Sequence, residues 1–220
     1  MRRFADRREA GRALAEALRL HLGESDGPVL VLGLPRGGVV VAAEVAAALG
    51  APLDVLVVRK LGLPWQPELA MGAIAAVGDV VETVRTEQVL NAARVGQAAF
   101  DEVRTEELDE LRRREVAYRG TRPAVPVQGR SVLLVDDGLA TGSTMRAAVA
   151  AVRRQEPVRI VAAVPVGSPA TCASLAAEVD DVVCLSTPPD FRAVGQAYAD
   201  FAPTSDDEVR AALARATPDG

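Results

Sequence analysis

The stretch VLLVDDGLATGSTM, from Val132 to Met145, joins an apolar strand to two acids and then to a turn of small residues. Turns rich in Gly, Thr and Ser ahead of a helix ordinarily hold phosphate, through backbone N–H groups and the positive end of the helix dipole. Carboxylates repel phosphate, so the two halves of this stretch ask for a ligand with an anion at one end and donors at the other. Asp136 and Asp137 stand before the turn, at the strand end, where they can accept from a pair of sugar hydroxyls. Leu139, Ala140, Thr141, Gly142, Ser143 and Thr144 can then curl around one phosphate, with the hydroxyls of Thr141, Ser143 and Thr144 as further donors. A sugar phosphate about one ribose long reconciles acids and cradle. The run is not a Walker A loop, because no Lys follows the second glycine, and it is not the dinucleotide G-x-G-x-x-G.

Downstream, strands expected at 131–135, 158–164 and 181–185 alternate with helices at 143–154 and 168–178. Alternating strands and helices predict a parallel sheet with right-handed crossovers. Upstream, Asp6 to Leu22 carries Ala10, Leu14, Ala17 and Leu18 at helical spacing. PVLVLGL is a wholly apolar strand, suited to a sheet covered on both faces, and a helix is expected from about Val39 to Leu49. Leu53 to Val58 reads as one strand ending at Arg59-Lys60. LGLPWQPELAMG, with two prolines, reads as an exposed loop, and Ala73 to Val84 as a hairpin turning at Gly78-Asp79. Thr86 to Arg119 reads as one long helical pattern, with a possible break near its middle where the apolar phase slips. Asp206 to Ala214 closes the chain as a helix. The fold class is therefore α/β, a parallel sheet flanked by helices. We expect a single domain over 1–220, decorated by a helical insertion at 86–119 and a C-terminal hood at 186–220.

Composition narrows the function. The chain has 220 residues, 49% of them apolar and only 3% aromatic, so Val, Ala and Leu must fill the core. No apolar run approaches the roughly 20 residues of a membrane span, and the N-terminus has no signal peptide's apolar core, so a cytoplasmic protein is expected. A net charge of −5 argues against a sequence-independent nucleic-acid binder. Cys172 and Cys184 lack metal-ligand spacing and read as small buried hydrophobes. His21 is the only histidine, which leaves no room for a His-rich zinc site.

VLLVDDGLATGSTM closely resembles the phosphoribosyl pyrophosphate (PRPP) signature of the type I phosphoribosyltransferases. GLPRGG, Gly33 to Gly38, is similar to the family's pyrophosphate loop, although a Gly-rich turn alone is a common structural device. VRKLGLP is similar to the R-K-x-G-x-L-P sequence of adenine-type members. The resemblance implies a Rossmann-like fold and transfer of a 5-phosphoribosyl group from PRPP to a nitrogenous base, with release of diphosphate. It places the ribose hydroxyls on Asp136 and Asp137 and the 5-phosphate on Leu139 to Thr144. The diphosphate falls to Pro35, Arg36, Gly37, Gly38, Arg59 and Lys60. It also implies Mg²⁺, bound through the substrate with Asp136 and Asp137 as the protein's possible ligands, and a homodimer. The segment after Lys60 takes the place of the family's mobile lid, with Glu68 as candidate general base and Trp65 nearby.

The chain departs from the family in one telling position. Members acting on 6-oxopurines carry an aspartate just before T-G, where this chain has Ala140, so the motif is closer to the adenine and uracil types. The tail PPDFRAVGQAYADF faintly resembles the V-G-Y-x-x-D-Y run of purine-salvage members. Phe191 or Tyr198 could stack on the base, or could equally peg the tail to the core. The missing carboxylate at Ala140 keeps a second reading in view, a non-catalytic PRPP- or nucleotide-binding regulatory module.

Overall fold

In the computed structural model, which describes residues 3–23, 27–77 and 80–215, the first helix begins where Asp6 caps it. The Asp6 carboxylate accepts from the Glu9 N–H at 2.8 Å, opening α1 (Arg7–His21), whose Ala10, Leu14, Ala15 and Leu18 are buried. The apolar run that follows is β1 (Val29–Gly33), and α2 (Gly37–Leu49) starts directly from the glycines. The next strand divides. β2 (Leu53–Val55) pairs parallel with β1, Leu56 donates to the Gly33 carbonyl at 3.1 Å, and the chain then leaves this sheet as β3 (Val57–Leu63).

β3 turns at Pro64-Trp65 into β4 (Gln66–Val77), and β4 returns as β5 (Val80–Arg85), a separate antiparallel sheet of three strands. Two expectations are corrected here. The single strand over 53–58 is two strands in different sheets. The exposed loop expected over LGLPWQPELAMG is a hairpin, because its backbone groups pair across β3 and β4 and its prolines fall in the turn and beside a bulge at Leu61 to Leu63. Residues 64–69 at its tip are nevertheless exposed. The expected hairpin over Ala73 to Val84 is β4–β5, while its turn at Gly78-Asp79 lies outside the described residues.

The helical pattern at 86–119 forms two helices, α3 (Glu87–Ala93) and α4 (Gln97–Arg119), separated where Arg94 takes a φ of 53°. α4 buries Phe100, Leu111 and Tyr118. Its end is fastened by Arg119, which donates to buried Asp54 on β2 at 3.1 Å and to buried Glu115 at 3.3 Å.

Then come β6 (Ser131–Val135), α5 (Ser143–Arg153), β7 (Arg159–Val164), α6 (Pro169–Leu175) and β8 (Asp181–Cys184), with α7 (Asp206–Arg215) last. α6 ends three residues earlier than expected. The five parallel strands stand in the order β2-β1-β6-β7-β8, flanked by helices. Strand alternation divides the core, with Val31, Leu133 and Val135 facing α1 and α2 and Leu32, Leu134 and Ile160 facing α5. From β1 the chain goes to β2 on one side, whereas from β6 it goes to β7 on the other. The crevice at the carboxyl ends of β1 and β6 is thus the switch point where open α/β sheets bind ligands.

The two cysteines, expected to be buried, are half-buried free thiols and neighbours. A Cβ placed on Gly167 would lie 2.5 Å from Cys172 Sγ and 3.2 Å from Cys184 Sγ. Among the described residues no helix is long and apolar enough to cross a membrane.

Candidate functional site

The β1–β6 register aligns Gly33 with Val135, and Leu34 donates to the Val135 carbonyl at 2.9 Å. These bonds lay the PRGG turn flat against the two acids. A Cβ on Gly38 would stand 2.8 Å from Asp136 Cα and from the Val135 carbonyl oxygen, and one on Gly37 would strike the Asp137 carboxylate and Arg7. Both glycines are therefore required by the close approach of the first loop to the second, whatever their amides do for a ligand.

The turn after the acids is held from behind by its carbonyls. The Leu139 carbonyl accepts from the Ser168 N–H at 2.8 Å, and the Gly142 carbonyl from the Arg146 N–H at 2.9 Å. The Ala140 carbonyl accepts from Thr171 Oγ1 at 2.6 Å and the Thr141 carbonyl from Arg146 Nη1 at 3.0 Å. With its carbonyls turned outward, the loop leaves the N–H groups of Ala140, Thr141, Gly142, Ser143 and Thr144 without a protein acceptor among the described residues. Gly142 sits at φ 77° just before α5, a left-handed conformation that suits glycine, and no side chain caps the helix. The result is an anion cradle at an open helix N-terminus. Thr141 Oγ1 and Ser143 Oγ, 3.3 Å apart, stand beside it.

The acids each have one oxygen engaged. Asp136 Oδ1 accepts from the Asp137 N–H at 2.8 Å, and Asp137 Oδ2 accepts from Arg7 Nε at 2.8 Å. Asp136 Oδ2 and Asp137 Oδ1 accept from no other side chain among the described residues. Burial, and then the charge of Asp137, push the Asp136 carboxyl well above the ordinary range. Burial also raises Asp137, against the pull of Arg7.

Lys60, Asp136 and Gly138 to Met145 line one pocket of about 160 Å³. The structure thus brings Asp136, Lys60 and the residues Leu139 to Thr144 together, with Asp137 next in the chain and Gly37 and Gly38 packed against the two acids. Other expected residues stand elsewhere. Arg59 faces away from Lys60, its Nε donating to Glu107 Oε2 at 2.6 Å. Arg36 is half exposed at the start of α2, with a guanidinium nitrogen 3.9 Å from Asp206 Oδ1, and Pro35 precedes it through a cis peptide. Glu68 is exposed near the hairpin tip and does not line the pocket. Tyr198 is 1% exposed, its ring stacked on Phe201 and its hydroxyl donating to the Asp137 carbonyl at 2.6 Å, so it presents no open face to a base. Phe191 packs at the edge of the same aromatic cluster. A larger cavity, about 760 Å³, lies between the end of β4, the end of α4 and the segment after it. Its Arg119 is already tied to Asp54 and Glu115, and none of the acids or cradle residues line it.

Sequence reasoning missed Arg7 altogether. No local motif marks it, and its partner Asp137 is 130 positions away.

Comparison with known proteins agrees with this geometry. A family model described as "Phosphoribosyl transferase domain" matches residues 3–201. Two curated proteins of Mycobacterium tuberculosis, from strains CDC 1551 / Oshkosh and ATCC 25618 / H37Rv, are each 49% identical to this chain over 219 residues. Each is named "Putative phosphoribosyl transferase". The match covers 100% of this chain but 48% of each relative, so the chain spans about half the length of the curated proteins it matches. The crystal structure of TT1426 from Thermus thermophilus superposes with a TM-score of 0.81 at 48% identity, covering 97% of this chain and 98% of that one. On its acids, its anion cradle and a family match across most of its length, the chain belongs to the phosphoribosyl transferase domain family.

Proposed function

We propose that this chain transfers a 5-phosphoribosyl group from PRPP to a nitrogenous acceptor, purine- or pyrimidine-like, and releases diphosphate. The observation that carries the reading is the pocket shared by Lys60, Asp136 and the turn Gly138 to Met145. In this reading the amides of Ala140 to Thr144 hold the 5-phosphate, and the remaining oxygens of Asp136 and Asp137 accept from ribose hydroxyls. Lys60 stands at the mouth as the cation for diphosphate, with Arg36 beyond it. As the bond to diphosphate breaks, positive charge grows on the ribose, and the two carboxylates stabilise it from fixed positions. The donor set fits Mg²⁺, since oxygens are its preferred ligands and Asp136 and Asp137 can hold it together with substrate oxygens and water. Bound there, the ion would supply positive charge to the departing diphosphate.

The segment from about 186 onward would cover the acceptor side, with Phe191 as its candidate base contact. The exposed β3–β4 hairpin, carrying Glu68, would act as the lid. A homodimer acting on small molecules, not nucleic acid, and working in the cytoplasm completes the proposal.

One observation favours a second reading, a PRPP-binding regulatory module. Position 140 is alanine, and apart from Asp136 no carboxylate among the described residues lines the pocket, so no general base for the acceptor is in place. Diphosphate release from PRPP with Mg²⁺, against a panel of bases and amines, decides between them. Release with any acceptor supports the transferase. Tight PRPP binding without release by any acceptor overturns it in favour of the module.

A further inference from the structure

Arg7 opens α1, far in sequence from the acids, yet its guanidinium is held beside them. Its Nε donates to Asp137 Oδ2 at 2.8 Å and its Nη1 donates to the Ala202 carbonyl at 2.8 Å. Its Cζ lies 4.0 Å from the centroid of the Phe201 ring and 5.9 Å from that of Tyr198. The Arg7 side chain is 12% exposed and that of Asp137 16%, so this is a largely buried ion pair. Such a pair seldom adds stability over apolar residues of like size, because desolvation offsets the attraction. A staple between the first helix and the tail would not need to be ionic. The pair has a second property, which is direction. A carboxylate turns easily about its terminal torsion, and Arg7 fixes which Asp137 oxygen is occupied. From the other side, Tyr198 holds the Asp137 carbonyl and the Asp137 N–H holds Asp136 Oδ1.

We propose that Arg7 is a positioning residue for ribose recognition. By taking Asp137 Oδ2, it presents Asp137 Oδ1 beside Asp136 Oδ2 as a matched pair of acceptors for two adjacent hydroxyls of the sugar. The inference rests on the ribose-phosphate reading of the site. It adds that the N-terminal helix and the C-terminal tail, which meet at this cation and the aromatic cluster around it, set the geometry of sugar binding.

The test is calorimetric titration of the full chain with two probes, ribose 5-phosphate and inorganic phosphate. Arg7→Gln is expected to weaken ribose 5-phosphate by about 10- to 100-fold, the range for loss of a charge-assisted hydrogen bond, and to leave phosphate affinity unchanged. In an Asp137→Asn background the same substitution is expected to have no further effect, because the two act as one unit. Arg7→Lys, which keeps the charge and a donor, should recover part of the ribose 5-phosphate affinity and covers the case in which Arg7→Gln folds poorly. Equal loss of both probes in Arg7→Gln and Arg7→Lys, or unchanged ribose 5-phosphate affinity, overturns the proposal. A wild-type chain that binds phosphate but not ribose 5-phosphate overturns the reading beneath it.

Discussion

Two strands deliver residues to the same pocket in opposite ways. β6 is buried on both faces and stops at Val135, after which every residue of the chain for a full turn borders the pocket or its back wall. β3 instead runs past the pocket as a strand of an antiparallel sheet, with one face dry and one wet. Where a strand ends, consecutive residues can share one task. Where a strand passes by, the pleat sends neighbours to opposite faces and only every second residue arrives. Lys60 reaches the pocket and Arg59 is turned to α4 for this reason.

The β6 end should be the more fragile of the two. Gly38→Val places a side chain against the Asp136 Cα and the Val135 carbonyl, backbone atoms that cannot step aside. Ribose 5-phosphate binding should be abolished, and urea denaturation should show a loss of about 1–3 kcal/mol, the range for overpacking a filled site. If Gly38→Val bound ligand normally, the two loops would not be held as closely as the comparison requires.

Asp136→Asn is expected to separate binding from stability. Burial and the charge of Asp137 raise the Asp136 pKa in the folded state, so the folded chain retains a proton that the unfolded chain releases. Stability from this group is then present at low pH and falls as pH rises from the ordinary carboxylate range through the raised value. Asp136→Asn should flatten that fall and be the more stable protein at neutral pH, measured by denaturation across a pH series. The same variant should bind ribose 5-phosphate more weakly, by about 1.5–3 kcal/mol for each charged hydrogen bond lost. A variant with the wild-type pH profile would mean that Asp136 is not strained in the way its surroundings indicate.

The contrast between the two strands also explains what could be read beforehand. The 132–145 stretch is self-contained: apolar strand, acids, cradle and helix start are adjacent in the chain, and local chemistry specifies each. The parallel sheet followed from the same regularity. The β3–β4 hairpin was hidden because its tip, Pro64 to Leu69, has the prolines and exposure of a loop, while the pairing that makes it a strand lies in residues across the turn. Reading 53–58 as a strand that stopped at Arg59-Lys60 also discarded the alternation that separates those two bases. Tyr198 pegs the tail to the core, one of the two roles expected of it, but its bond to Asp137, like that of Arg7, was beyond reach for another reason. Each meets Asp137 only after the first helix and the tail have been brought together, and no spacing rule reports a contact over 61 or 130 positions.

Smaller effects should follow on β3 itself. Lys60→Ala should weaken PRPP more than ribose 5-phosphate, because only the former carries the diphosphate that the lysine is proposed to meet, and competition titrations with both ligands would read the difference.

Arg59→Gln, one residue away, is expected to do the least. Its guanidinium pairs with Glu107 on α4, each side chain about one-quarter exposed, at 25% and 26%. An ion pair with that much access to water contributes in the range of about 0–1 kcal/mol, since solvent screens it and ordering two long side chains costs entropy. The variant should therefore shift the urea midpoint slightly and leave the affinities for ribose 5-phosphate and PRPP as they are. Were Arg59→Gln to lower PRPP affinity as much as Lys60→Ala, both bases would have to serve the diphosphate. β3 would then have to break its pairing with β4 near Ile74 and Ala73 when ligand binds, and the distinction between an ending strand and a passing one would not hold in the liganded state.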